Sequence, residues 1–266
     1  MDILRRSLAP ITQKAWQAID NQAKIILTSH LSARKFVDVE GPKGWDHAAV
    51  HLGRLEVPKK QDFTGVDYGV HRILPLVETR SFFELDLWEL DNIERGAEDI
   101  DLTEMEKAAK NIAMFEEKAI YIGFKAGNIN GLKDISPYDP IQFSGKAEDI
   151  AAAISNGLAI FADASVAGPY ALIINPHIWK SIYAYVKGYP LKKQLERILE
   201  GPVILNPSTD DSFLVSMRGG DLKLVLGQDL SIGFHSHDQK KVRLYFTESF
   251  TFYSVDPAVV LNIQTL

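Results

Sequence analysis

His51-Leu-Gly-Arg-Leu-Glu-Val57 and Val70-His-Arg-Ile-Leu-Pro-Leu-Val77 are two β-like runs, and the polar stretch Pro58-Lys-Lys-Gln-Asp-Phe-Thr-Gly65 lies between them. Each run mixes apolar and polar side chains as a strand with one wet face does, and the proline and glycine of the centre supply turn chemistry. Residues 49–80 therefore read as a long two-stranded excursion with little core of its own. Such a ribbon is marginal in isolation and needs a partner surface to stay ordered.

Outward from the ribbon the chain is well patterned. Upstream, Thr12 is placed as an N-cap, and Trp16, Ile19, Ala23, Ile26, Leu27 and Leu31 recur at helical spacing, which predicts a helix running to Ser32 or Arg34. Lys35-Phe-Val-Asp-Val-Glu40 alternates like a half-buried strand, and Gly41-Pro42 ends it. Downstream, Ser81 to Leu90 alternates too, so its acidic side chains at 84, 86 and 89 must stay wet or paired. Thr103 and Glu106 have the spacing of a capping box, and Met105, Ala108, Ala109, Ile112, Phe115, Ala119 and Ile122 mark a long helix ending near Gly123 to Gly127. Residues 137–221 then alternate helices and strands and read as an α/β module inserted into something else. Strands at 222–226 and 241–253 follow.

Composition narrows the function classes. The 266 residues are ample for two sub-domains. With 46% apolar and 24% charged residues, disorder and collagen-like repeats are disfavoured. A net charge of −6 argues against a strongly basic duplex binder, and the lack of cysteine removes disulfide frameworks, thiolate metal sites and cysteine nucleophiles. No run of about 18 apolar residues suggests a membrane span. Charges among the first ten residues sit where a secretory signal needs an apolar run, so a cytoplasmic protein is expected.

Signals for catalysis are weak. His235 and His237, two apart, share a strand face and with Asp238 could hold a metal; a solvated loop is the competing reading. There is no G-x-S-x-G elbow, and Gly145-Lys146 lacks the upstream glycine of a phosphate-binding loop. Neither Glu116 nor Glu117 is followed three residues later by histidine, so the pair reads as a solvated helix face. No catalytic residue and no metal site are assigned. A chain of this size without an evident active site is expected to be an assembly component.

Several segments carry a family resemblance: Leu4 to Pro10 with Trp16 and Asp20, Arg34 to Pro42 with Trp45, Leu85 to Gly96, Gly168-Pro-Tyr170, Glu248-Ser-Phe-Thr-Phe252, and above all Gly219-Gly-Asp-Leu-Lys-Leu-Val-Leu-Gly-Gln-Asp-Leu-Ser-Ile-Gly233. In this order, over essentially the whole chain, they resemble the encapsulin nanocompartment shell proteins of the linocin-type, bacteriocin-like family. The resemblance implies an α+β fold of the tailed-phage major capsid type (Hong Kong 97-like). It implies a P-domain over 1–48, 81–136 and 222–266 with the helix from Thr103 as its spine, an E-loop over 49–80 and an A-domain over 137–221. It also implies a homo-oligomeric icosahedral shell of about 60 subunits. That shell would enclose a cargo enzyme, a peroxidase or a ferritin-like iron oxidase, that carries a short targeting peptide. No specific nucleic acid, membrane or required cofactor is expected. Rival functions are a protease or bacteriocin-type activity and a viral capsid protein.

Site residues follow from the same resemblance. Cargo docking is implied at Leu27, Leu31, Arg34 and Asp38, with Asp229, Ile232 and Gly233; an apolar groove would take the peptide while Arg34 and Asp38 fix its register. Leu27 and Leu31 read equally as ordinary core, and Arg34 with Asp38 as a mutual i,i+4 pair. The turn Tyr185-Val-Lys-Gly-Tyr-Pro190 matches a five-fold pore loop, with Tyr185, Lys187, Gly188 and Tyr189 at the mouth; a solvated turn lysine is the alternative. Trp88 matches a position near which flavin is associated in some shells, and otherwise reads as a core or interface tryptophan.

Overall fold

The computed structural model describes residues 3–61, 64–185 and 188–265. Thr12 accepts the Ala15 N–H on its hydroxyl at 3.2 Å and so opens α1 (Gln13–His30). Ala15, Ile19 and Ala23, four residues apart, are its buried stripe. The helix stops before Ser32, because Ala33–Lys35 tighten into a 3-10 turn whose first N–H is claimed by Glu117. For the same reason the expected strand at 35–40 is only β1 (Asp38–Glu40). The chain then leaves β1 through Gly41 at φ +131°, where an added Cβ would meet the Leu226 carbonyl oxygen at 2.4 Å.

β2 (Ala49–Glu56) and β3 (Val70–Pro75) pair antiparallel and join neither large sheet. Gln61 closes their connection: its amide donates to the Tyr68 carbonyl at 3.0 Å and accepts the Tyr68 N–H at 2.8 Å. β4 (Val77–Asp86) begins earlier than the strand expected at 81–90 and also ends earlier. Asp86 turns the chain by capping the N–H groups of Trp88 and Glu89, at 2.8 and 3.3 Å, and α2 (Leu87–Arg95) follows. The acidic side chains are indeed paired or wet, with Glu84 3.7 Å from Lys241 and Glu89 accepting the Asp101 N–H.

α3 (Thr103–Tyr121) is the longest helix described, and it starts without the expected capping box. Asp101 takes the Thr103 N–H at 3.0 Å, and Glu106 faces α1 instead, accepting the Gln22 amide at 2.6 Å. A short hairpin of β5 (Gly123–Phe124) and β6 (Ile129–Asn130) and the turn-length α4 (Leu132–Ile135) lead to the second half. There β7 (Ile141–Phe143), α5 (Ile150–Asp163), β8 (Tyr170–Ile174), α6 (Pro176–Ala184), α7 (Leu191–Leu199), β9 (Val203–Leu205) and β10 (Ser212–Ser216) realise the alternation read from sequence. β11 (Leu222–Leu226), β12 (Ser231–His237), β13 (Lys241–Ser254) and β14 (Val260–Thr265) complete the chain.

Two five-stranded sheets organise these elements. In the first, β13 is central: β11 and β12 lie along one edge and β4 along the other, with β1 parallel to β11. Its apolar face carries Val242, Leu244, Phe246, Phe250 and Phe252 at alternate positions, interrupted at 248, and α1 and α3 pack against that half of the molecule. The second sheet has the order β7-β14-β10-β8-β9. It therefore draws β14, outside the 137–221 module read from sequence, into its middle. Tyr121 at the end of α3 stacks on Phe213 of β10 at 5.7 Å and ties the two halves. No helix of the described residues is long and apolar enough to cross a membrane.

Gly41 yields a first prediction. Gly41→Ala is expected to destabilise the protein by roughly 1–3 kcal/mol, because β-carbon and positive φ conflict at one position. Urea denaturation of the variant against wild type measures it.

Candidate functional site

The i,i+4 stripe of α1 does not end with Ala23. Leu27 and Leu31 continue it to the rim of the body, where the helix no longer has a full partner and a cleft of about 350 Å³ opens. Its far wall is the loop after β11 and the start of β12, with Asp229, Leu230, Ser231 and Ile232; Phe246 lies behind. Leu4, Arg6 and Asp20 form one end. Arg6 binds Asp20 at 2.7 Å and lies 3.9 Å over the Trp16 ring, and the Leu4 carbonyl accepts the Phe234 N–H on the free edge of β12.

Leu27, Leu31, Arg34, Asp229 and Ile232 thus converge on one cleft, as five of the seven residues named from sequence. Asp38 and Gly233 stand outside it. Asp38 accepts the Gly220 N–H at 2.6 Å and lines a separate small cavity, so it ties β1 to the 219–220 turn. Gly233 follows Ile232 on a strand and faces the opposite side, under the Tyr245 ring. Leu31 is buried yet reaches the cleft, so the core and docking readings meet in one residue.

Arg34 makes no pair with Asp38. Its Nη1 holds Asp229 at 2.9 Å, its Nε and Nη2 fork onto Glu116, and Nη2 also reaches Glu248 at 2.5 Å. Glu116 and Glu248 are fully buried, Arg34 is 18% exposed and Asp229 44%. One cation therefore serves three carboxylates. Burial disfavours the charged guanidinium, but the carboxylates, Glu116 foremost, hold its pKa above the ordinary range for arginine. Burial, then the charge of Glu116, pushes the Glu248 carboxyl well up. Two full negative charges that can be no more than about 5 Å apart repel by at least roughly 3 kcal/mol at the dielectric suited to protein sites.

Glu117 enters the interior beside Glu116, so the pair is not a solvated face. Its carboxylate accepts the Ser32 hydroxyl and the Ala33 N–H, the latter at 2.8 Å, and Ser32 also meets the Tyr121 hydroxyl at 2.7 Å. Burial raises the Glu117 carboxyl to about 7 against these hydrogen bonds. Helical spacing places Glu116 four residues from Ile112, and Glu117 four from Ala113, on the buried stripe. On β13, Glu248 falls between Phe246 and Phe250 on the apolar face. Those registers were the available signals for all three glutamates.

The other sites named from sequence lie apart. Tyr185 ends α6, and Gly188 at φ +75° and the exposed Tyr189 form the turn into α7; Lys187 lies outside the described residues. Trp88 is 74% exposed on α2, so it is not a core residue. Beside it Glu84, Asp86, Glu89, Asp101 and Glu104 line a cavity with Lys241. A phosphate-bearing flavin would meet five carboxylates there against one ammonium, and these residues do not fit it. His235 and His237 are on β12 rather than in a loop, with His235 edge-on to Phe82 at 5.2 Å. Among the described residues no group of three or more histidine, aspartate or glutamate side chains is placed to hold a metal ion.

Comparison with known proteins locates this architecture. The family described as "Encapsulating protein for peroxidase" matches residues 1–251. A type 1 encapsulin shell protein of Rhodospirillum rubrum is 38% identical over 100% of this chain and 98% of its own length, and one of Rhodococcus erythropolis is 39% identical over 99% and 100%. Among solved structures, the virus-like particle of Pyrococcus furiosus superposes with a TM-score of 0.62 at 17% identity, covering 95% of this chain and 98% of that one. The capsid of an empty GTA particle gives 0.56 at 14%, covering 89% and 90%. The fold is that of the tailed-phage capsid proteins (Hong Kong 97-like).

The raised Glu117 carboxyl fixes the sign of a pH dependence. Between the unfolded value of 4.5 and the folded value of about 7 the native state keeps a proton that the unfolded chain has released. This contribution to stability is complete below pH 4.5 and is lost as the pH rises through 7. Glu117→Gln is expected to remove a fall of about 3 kcal/mol. Denaturation of dissociated protomers at about pH 4.5 and about pH 8 checks it.

Proposed function

We propose that this chain, which belongs to the encapsulin family of shell proteins, builds a closed icosahedral shell of about 60 copies around a cargo enzyme. The observation that carries the assembly is the β2–β3 hairpin. It joins neither five-stranded sheet, yet it exposes Leu55, Val57, Val66, Val70 and Ile73. A ribbon of this kind gains stability when another surface covers it, and in a shell of identical chains the neighbouring copy supplies that surface. The chain's own part is structural.

The cleft between α1 and β12 is the docking place for the cargo's targeting peptide. It offers Leu27, Leu31 and Ile232 to apolar side chains and ordered polar groups on both rims. The family description supports a peroxidase as cargo, and a ferritin-like iron oxidase is the other enzyme we propose for it. Small solutes pass where the turn around Gly188 and Tyr189 gathers about a symmetry axis. The assembled compartment resides in the cytoplasm.

Electron microscopy of the protein expressed alone tests the shell. Uniform hollow particles are expected, and a monomer that never assembles would overturn the reading. Leu27→Asp separates docking from assembly. It places a carboxylate on a half-exposed site of the cleft, so shells are expected to form normally while co-expressed cargo falls to background in mass spectrometry of purified particles.

A further inference from the structure

Beneath the cleft, Glu116 Oε2 and Glu248 Oε1 each lie 2.5 Å from the same Arg34 Nη2, so they are at most twice that distance apart. Both side chains are fully buried. The second oxygen of Glu248 is also buried and has no hydrogen-bond partner among the described residues. An unsolvated oxygen is tolerated in a neutral carboxyl and strongly penalised in a carboxylate. Two carboxyls pressed onto one nitrogen cannot both carry a full charge at low cost, and the half-unsatisfied one, Glu248, is the one that retains a proton.

Asp229 is the third contact of that guanidinium and the one that reaches the rim. It also builds the cleft wall. Its Oδ1 accepts the Leu230 N–H at 2.8 Å, and its carbonyl accepts Ser231 Oγ at 2.8 Å and Gln228 Nε2 at 3.2 Å. The charged groups facing Glu248 are Arg34 from the turn after α1, Glu116 from α3 and Asp229 from the loop after β11. Glu117 faces Glu116 from the same helix.

We propose that Glu116 and Glu248 are positioning residues for the cleft: the proton held by Glu248 beside Glu116 lets Arg34 keep hold of Asp229, and its loss draws the guanidinium inward and frees the Asp229 carboxylate at the rim. With the proton in place, Arg34 balances one buried charge and one rim charge. Without it, three anions compete for one cation, and the contact given up is the exposed one, which water can replace. The consequence for a bound peptide rests on the docking reading; the coupling of Asp229 to the buried pair does not.

Carboxylate footprinting of the empty, assembled protein tests this without any ligand. Carboxylates are activated with a carbodiimide, trapped with glycine ethyl ester and quantified by peptide mass spectrometry from about pH 5 to about pH 8.5. Asp20, equally exposed at the same cleft, is the internal reference for the reagent's own pH dependence. In wild type the Asp229/Asp20 labelling ratio is expected to rise several-fold across the range. In Glu248→Gln, which keeps shape and acceptor but cannot lose the proton, the ratio stays at its low-pH level. Glu116→Gln, which removes the neighbouring buried charge, is expected to leave the ratio equally flat and serves should Glu248→Gln not assemble. A flat wild-type ratio, or a Gln variant that rises as wild type does, overturns the proposal. A merely structural role for the pair would lower stability without moving this profile.

Discussion

Two consecutive glutamates buried on one helix turn are the constraint from which the rest of this molecule follows. Glu116 and Glu117 have no water to turn to, so α3 is stable only while other groups satisfy them. Ser32, Ala33 and Arg34 do so, and in doing so they stop α1, bend the chain through a 3-10 turn and deliver β1 to the edge of the first sheet. Arg34 extends the same bond set to Glu248 in the sheet and Asp229 in the loop. Helix, turn, sheet and loop are thereby locked at one point, and the cleft is the surface left where they meet. Severing Arg34 would leave two uncompensated carboxyls in the interior, which is far more costly than losing an exposed ion pair.

Most elements were legible in the sequence because they obey one period at a time. The recurrence of Ile19, Ala23, Leu27 and Leu31, the long helix from Thr103 and the alternation of β13 are local patterns, and the structure contains each. What escaped was set by distant partners. Thr103 has a capping spacing, but Asp101 was already placed to take its N–H, and Gln22 of another helix engages Glu106. Residues 87–90 alternate like a strand, but Asp86 caps a helix there. Glu116 and Glu117 look like surface until their register is compared with that of the buried residues one turn away.

The residues named for docking show the same division. Leu27 and Leu31 are placed on the helix by periodicity and named for docking, with Arg34, by resemblance, and the fold brings them to Asp229 and Ile232, about 200 positions away along the chain. Asp38 drops out because a three-residue strand pins it to the 219–220 turn, a contact no local spacing announces. Gly233 drops out by strand parity. Arg34 was read as a register-setting residue. The structure makes it a saturated brace, with Nε, Nη1 and Nη2 all engaged, and of its three carboxylate partners only Asp229 reaches the rim.

The position of β14 carries a consequence for synthesis. This strand lies between β7 and β10, and those two strands do not pair with each other. A nascent chain must therefore run beyond residue 260 before the second sheet can close, although most of its strands emerged long before. Until then that half exposes unpaired strand edges, while the first sheet is already complete at β13. Topology thus makes β14 the strand that the second sheet awaits, whereas every strand of the first sheet precedes it in the chain.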